Sequence, residues 1–283
     1  MAALIDRNPK DHIVTSTPDL ETLKAKQLKM WSSGDYGKVA WVTVPLADQL
    51  CESARLRPGS TVLDVATGTG HVAIAAARRF CQATGIDYVP ELVEVAKARA
   101  AAEGLDIEFR EADAENLPFA DASFDYVMSA IGAMFTADHQ RAARELVRVC
   151  KSGGRVAVAN WTPAGFIGQL LKTVGKYATP PPGAQPPTRW GDEAAIRDLL
   201  ADGSSEIECT TYALEQRFLS PEHFADFFIN EYGPTHKASE AQSEEGRQAF
   251  RTDLINIATA ANRATDGTLL CDWEYLVAVA TRA

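Results

Sequence analysis

Apolar residues in the middle of the chain follow two alternating patterns. Short runs rich in aliphatic and β-branched residues are typical of buried strands, and the stretches between them repeat apolar residues every third or fourth position, as amphipathic helices do. Strands that alternate with helices predict a parallel sheet with right-handed crossovers, which is an α/β fold. The last crossover helix is predicted to end at the Gly153–Gly154 pair. The predicted strands are residues 61–65, 81–87, 107–113, 124–131 and 155–161.

The segments that flank this core show other patterns. Residues 1–18 have no sustained period and are expected to form a mobile arm, residues 20–30 predict a charged helix, and residues 31–40 predict a glycine-punctuated loop. After Trp161 the alternation stops, and the proline-rich stretch 178–187 indicates either a stiff connector or an element that gates a pocket. We therefore divide the chain into an N-terminal arm and lid (1–44), a core (45–161), a cap insertion (162–206), and C-terminal strands with a helical cap between them (207–283).

The stretch VLDVATGTG, residues 62–70, is an apolar strand that ends in an acid and continues into a tight turn. Gly68 and Gly70 permit positive φ and a close approach of the backbone to a ligand. A helix begins directly after the turn, and the unpaired N–H groups at its start favour a polar or anionic ligand group. The pattern predicts a nucleotide pocket at this turn.

Two kinds of nucleotide site fit the turn. GTGHVA satisfies the G-x-G-x-x-G/A pattern of dinucleotide sites, but that pattern alone is weak evidence. Asp64 precedes the turn, and its charge would repel a pyrophosphate, whereas it would suit a ligand that carries an ammonium group. Asp64 has a second possible role, which is to stabilise the turn itself, and the sequence leaves both roles open.

Acids also end the next two predicted strands. Asp87 closes the second strand and Asp113 closes the third. An acid at the end of the second strand typically accepts hydrogen bonds from ribose hydroxyls, and the carboxyl ends of parallel strands lie along one ligand-binding edge of the sheet. This series of acids is more specific evidence for a nucleotide site than the glycines are.

With these motifs the sequence resembles the class I S-adenosylmethionine-dependent methyltransferases, within them the ubiquinone/menaquinone-biosynthesis type, over roughly residues 30–161. The resemblance implies a Rossmann-like, doubly wound, mainly parallel seven-stranded sheet with a helical cap insertion. It also implies that the turn wraps the methionine part of the cofactor, that Asp87 binds the ribose and that residues 113–115 contact adenine. Ala66 departs from the family, which has a glycine there. The implied cofactor-binding residues are Asp64, Ala66, Thr67, Gly68, Gly70, Asp87, Tyr88, Asp113, Ala114, Glu115, Ser129 and Ala130.

Composition narrows the range of partners and compartments. The 283 residues carry a formal net charge of -10, and no basic run is present, which argues against nucleic acid and anionic membranes as partners. The five cysteines lack metal-ligand or disulfide spacing, and the N-terminus lacks an apolar signal region. We expect a cytoplasmic protein without a metal; the sequence does not indicate its oligomeric state.

The acceptor of the methyl group is expected to be a small molecule, aromatic or heterocyclic, with S-adenosylhomocysteine as the second product. In-line transfer needs mainly alignment of the two reactants, so a general base is required only if the acceptor loses a proton. His139 is the candidate base, although it could equally cap a helix. A nicotinamide-dependent oxidoreductase and a non-catalytic cofactor-binding protein remain the alternatives. The candidate pocket residues, each of which could instead be core, are Trp31, Tyr36, Met134, Phe135, Trp161, Trp190 and Tyr232.

Overall fold

The computed structural model describes residues 20–33, 35–178, 180 and 184–283, so the arm predicted for residues 1–18 lies outside the described part. The strands in this part are β1 (Thr61–Val65), β2 (Gln82–Asp87), β3 (Glu108–Glu111), β4 (Phe124–Ala130), β5 (Cys150–Trp161), β6 (Ser204–Phe218) and β7 (Leu269–Arg282). The helices are α1 (Leu20–Trp31), α2 (Tyr36–Trp41), α3 (Val44–Ala54), α4 (His71–Ala77), α5 (Pro90–Ala102), α6 (His139–Val149), α7 (Phe166–Tyr177), α8 (Glu193–Leu200), α9 (Pro221–Glu231), α10 (Gly233–Glu240) and α11 (Glu244–Ala261).

The seven strands of the described chain form one sheet in the order β3-β2-β1-β4-β5-β7-β6. Neighbours from β3 to β5 pair in parallel, and β7 pairs antiparallel with both β5 and β6. The predicted fold class is confirmed. The strand order reverses between β1 and β4, and the crevice at such a reversal is where open α/β sheets bind ligands.

The central strands are buried on both faces, which explains their continuous apolar sequence. Leu63 of β1 and Val127 of β4 are completely inaccessible to solvent. Helix α3 packs on α4 and β5, and α6 packs on α8 and β4. Burial of this kind stabilises the sheet by roughly 25 cal/mol for each Å² of apolar surface removed from water.

Three predictions about individual elements were wrong. Strand β3 ends at Glu111, so Asp113 follows the strand instead of closing it. Helix α6 ends at Val149, and β5 begins at Cys150 rather than after the glycine pair: Phe124 pairs with Cys150 and Tyr126 with Arg155, so the intervening residues form a bulge. The predicted loop over residues 31–40 contains helix α2, because burial of Val39 and Ala40 stabilises a short helix that local propensity alone would not favour.

The segment 162–206, predicted as a cap insertion, contributes to two layers. Helix α7 packs on α10 and α11, which with α9 lie between β6 and β7 in the chain. Helix α8 instead packs on α6, β6 and β7, and so belongs to the helical layer of the sheet. Among the described residues, no helix has the length and apolar character that crossing a membrane requires.

Candidate active site

A cavity opens at the carboxyl ends of β1, β2 and β4 and contains about 1370 Å³, its mouth included. The structure brings most of the predicted site residues together around it. Those that line the cavity are Trp31, Tyr36, Asp64, Ala66, Thr67, Gly68, Asp87, Tyr88, Asp113, Ala114, Glu115, Ala130, Phe135, Trp161 and Tyr232. The predicted residues that do not line it are Gly70, Ser129, Met134, His139 and Trp190.

Asp64 stabilises the turn after β1. Its Oδ2 atom accepts hydrogen bonds from the Thr67 hydroxyl at 2.5 Å and from the Ala73 N–H at 2.9 Å, which ties the turn to helix α4. Burial raises the pKa of Asp64 to about 7, against the effect of these two hydrogen bonds. Of the two roles that the sequence left open, the geometry favours stabilisation of the turn.

Ala66 adopts the left-handed conformation, with φ of 54°, that the family's glycine would adopt more easily. Gly132, after β4, accommodates it: a Cβ at Gly132 would lie 2.5 Å from the Ala66 Cβ and 2.6 Å from the Ala66 carbonyl oxygen. Ser129 holds the two strand ends together, since its hydroxyl donates to the Val65 carbonyl at 2.8 Å and accepts from the Ala133 N–H at 3.0 Å. Ser129 thus joins the ends of β1 and β4 without lining the cavity.

Asp87 faces the cavity at the end of β2 and is only 5% exposed. Its Oδ2 atom accepts from the Gly68 N–H at 2.8 Å and its Oδ1 atom from the Val89 N–H at 3.0 Å. Burial raises the pKa of this carboxyl, while the backbone hydrogen bonds oppose the shift. Because an ionised carboxylate has about four acceptor positions, Asp87 retains capacity for hydroxyl donors of a ligand. The site therefore fits a ribose here.

The acids after β3 are held by a lysine that the sequence did not single out. Lys24 Nζ, on α1, lies 2.6 Å from Asp113 Oδ2 and 2.7 Å from Glu115 Oε2. Glu115 is almost fully buried, and its Oε1 atom accepts from the backbone N–H groups of Ala137 at 2.7 Å and Asp138 at 3.0 Å. Glu115 thus anchors α1 and the start of α6, while Asp113 remains more exposed to the cavity.

Aromatic side chains form one continuous side of the cavity, which we call the aromatic wall. Its residues are Trp31, Tyr36, Phe135, Trp161, Phe228, Tyr232 and Trp273. Trp31 lies at its centre, with ring-centroid distances of 5.6 Å to Tyr36, 4.9 Å to Phe135 and 5.9 Å to Tyr232. Phe228 and Trp273 were not predicted as pocket residues, although Phe228 belongs to an aromatic stripe with Phe224 and Phe227 in the sequence. The wall gives the cavity an aromatic, mainly apolar side.

His139 does not reach the cavity. It is the first residue of α6, is 1% exposed, and packs edge-on against Trp190 with ring centroids 5.9 Å apart. Burial, together with the nearby Arg189 charge, lowers the pKa of His139 to about 4. Met134 and Trp190 are likewise completely buried in the core. The geometry therefore supports neither a catalytic base at His139 nor pocket roles for Met134 and Trp190.

A family model and two relatives in sequence match this chain. A family model described as "Methyltransferase domain" matches residues 63–158, which run from β1 to β5. An uncharacterized protein of Mycobacterium tuberculosis is 40% identical over 273 residues, covering 95% of this chain and 99% of that protein. A demethylmenaquinone methyltransferase of Deinococcus radiodurans is 37% identical over 148 residues, covering 51% of this chain and 59% of the relative.

The fold also matches a solved structure. The YcgJ protein of Bacillus subtilis superposes with a TM-score of 0.57 at 20% identity, covering 84% of this chain and 98% of that chain. At this identity the similarity concerns the fold. It extends beyond the segment that the family model matches.

Proposed function

Because this chain belongs to the S-adenosylmethionine-dependent methyltransferases, we propose that it methylates a small, apolar acceptor, aromatic or heterocyclic, bound against the aromatic wall. The observation that carries this proposal is that one cavity contains both the Gly68 turn with Asp87 and the aromatic wall. A donor and an acceptor bound in one cavity can meet without crossing solvent.

Different residues would bind the cofactor and the acceptor. When bound, S-adenosylmethionine supplies an electrophilic methyl group on a sulfonium sulfur. Asp87 would accept hydrogen bonds from ribose hydroxyls, and the Gly68 turn would lie against the methionine part. The aromatic wall would hold the acceptor and exclude water, and alignment of this kind can lower a barrier by about 7 to 11 kcal/mol.

The distribution of charge supports a neutral small acceptor. The carboxylates that line the cavity lie at the end of β1, at the end of β2 and after β3, where Lys24 of α1 pairs with two of them. The aromatic wall adds no charged side chain. A net charge of -10 is unfavourable for nucleic-acid substrates. The relative from D. radiodurans is named for the acceptor demethylmenaquinone.

The proposal is tested with methyl-labelled S-adenosylmethionine and a small-molecule extract of the source organism, together with a panel of quinols, catechols and hydroxylated heterocycles. We expect label in an organic-phase product with the wild type and much less with Phe228→Ala, which opens the aromatic wall. Phe227→Ala is the matched control, because Phe227 lies one position away and does not line the cavity. Cofactor binding without any labelled product would instead support the non-catalytic alternative.

A further inference from the structure

Three tyrosines that line the cavity, Tyr36, Tyr88 and Tyr232, make no side-chain hydrogen bond among the residues that the structure describes, and two of them, Tyr36 and Tyr232, belong to the aromatic wall. Tyr36 and Tyr232 both line the cavity, and Tyr232 is only 6% exposed. Two tyrosines elsewhere in the described chain are paired: Tyr126 Oη donates to the Arg55 carbonyl at 3.1 Å, and Tyr177 Oη donates to Asp253 Oδ2 at 3.2 Å. A hydroxyl that borders a cavity and has no protein partner can form its hydrogen bonds with a ligand or with water.

The two tyrosines lie where the cofactor turn meets the aromatic wall. A Cβ at Gly68 would lie 3.6 Å from Cε1 of Tyr36, so the Tyr36 ring covers the turn. Both rings pack against Trp31, Tyr36 at 85° and Tyr232 at 63° between ring planes. Groups at this junction are close to any bond formed between a donor at the turn and an acceptor at the wall.

Both phenols are neutral at physiological pH. Burial, with a smaller contribution from the Asp87 charge, raises the pKa of Tyr36 to about 12. Burial and the neighbouring Tyr36 raise the pKa of Tyr232 still further above its ordinary value. A neutral phenol both donates and accepts a hydrogen bond, so the pair can bind a hydroxyl group, which also does both.

We propose that Tyr36 and Tyr232 are positioning residues that hydrogen-bond a neutral hydroxyl group of the acceptor. The acceptor is then an apolar aromatic molecule that carries a hydroxyl at or beside the atom to be methylated. This inference rests on the proposed function, because it assigns the contacts of the same acceptor. It requires a hydroxyl group on the acceptor, which the shape of the aromatic wall alone does not require.

The test compares 2-naphthol with naphthalene, which differ only in the hydroxyl group. Binding of each probe is measured by calorimetry on protein saturated with S-adenosylhomocysteine. We expect the wild type to prefer 2-naphthol by about 2- to 10-fold, the range that one net hydrogen bond provides. Tyr36→Phe and Tyr232→Phe should each reduce this preference, and the double variant should abolish it.

Tyr275→Phe is the matched control, because Tyr275 is buried and packs on Trp161 without lining the cavity. It should keep the preference of the wild type. A preference that is absent in the wild type, or unchanged in the double variant, overturns the inference. Failure of S-adenosylhomocysteine to bind the wild type would overturn the proposed function instead, so the two failures are distinguishable. A loss of folding lowers binding of both probes alike and leaves their ratio unaffected.

Discussion

Replacement of Asp87 tests the cofactor site most quantitatively. The carboxylate faces the cavity while it accepts the N–H groups of Gly68 and Val89. Ribose hydroxyls would add hydrogen bonds to a charged acceptor, worth about 1.5 to 3 kcal/mol. Their loss in Asp87→Ala corresponds to roughly a 10- to 150-fold weaker affinity for S-adenosylmethionine or S-adenosylhomocysteine.

The same substitution also leaves two backbone N–H groups without their acceptor, so a change in stability must be separated from a change in binding. Asp87→Asn keeps one carbonyl acceptor and is the milder variant. We expect both variants to remain folded by circular dichroism and to lose affinity by calorimetry, with the larger loss in Asp87→Ala.

Asp125→Asn provides a matched control at the other edge of the sheet. Asp125 also accepts a backbone N–H, from Thr61 at 2.8 Å, and it pairs with Lys151 at 2.8 Å. It lies at the start of β4 rather than at a carboxyl end and does not line the cavity. Equal affinities in Asp87→Asn and Asp125→Asn, both close to the wild type, would refute the assignment of Asp87 to the ribose.

Three further predictions concern residues around the cavity. Burial raises the folded-state pKa of Asp64 to about 7. The unfolded chain therefore releases this proton at a lower pH than the folded chain, and the contribution of Asp64 to stability falls as the pH rises from about 4 to about 7. In denaturant titrations, the free energy of unfolding of Asp64→Asn should rise by at least about 1 kcal/mol relative to the wild type between pH 5 and pH 8, and a constant difference would contradict this. His139→Asn should lower the thermal midpoint but keep the methyl-transfer rate within about threefold, whereas loss of a general base would cost about 10²-fold or more. Lys24→Met should speed amide exchange across Leu20–Trp31 without changing exchange in β1, because it removes both ion pairs that fasten α1; unchanged exchange in α1 would count against this anchor.

The core of the fold was predictable because each of its elements is apolar in its own sequence. The runs that contain Leu63 and Val127 are buried on both faces. The acids at or after the ends of β1, β2 and β3 (Asp64, Asp87 and Asp113) fall on one edge by topology alone. Boundaries were wrong where tertiary pairing overrides local pattern. The bulge before Arg155 depends on pairing with β4, and α2 depends on burial of Val39.

The site was predictable as a set of strand ends, but the partners of its acids were not. Lys24 lies 89 residues from Asp113 in sequence, and no local pattern connects the two. Glu115 lines the cavity as predicted, but the sequence did not indicate that its carboxylate also binds backbone N–H groups and Lys24. The residue type alone predicts a base at His139, and only its packing against Trp190 shows that the imidazole is enclosed in the core and away from the cavity.

A crystal structure with S-adenosylhomocysteine tests the central claim most directly, which is that one cavity holds the cofactor on Asp87 and presents it to the aromatic wall. We expect the ribose hydroxyls within hydrogen-bonding distance of the Asp87 carboxylate, and the thioether sulfur beside Tyr36. An adenosyl group bound elsewhere on the chain, or a sulfur atom directed away from the aromatic wall, would contradict it.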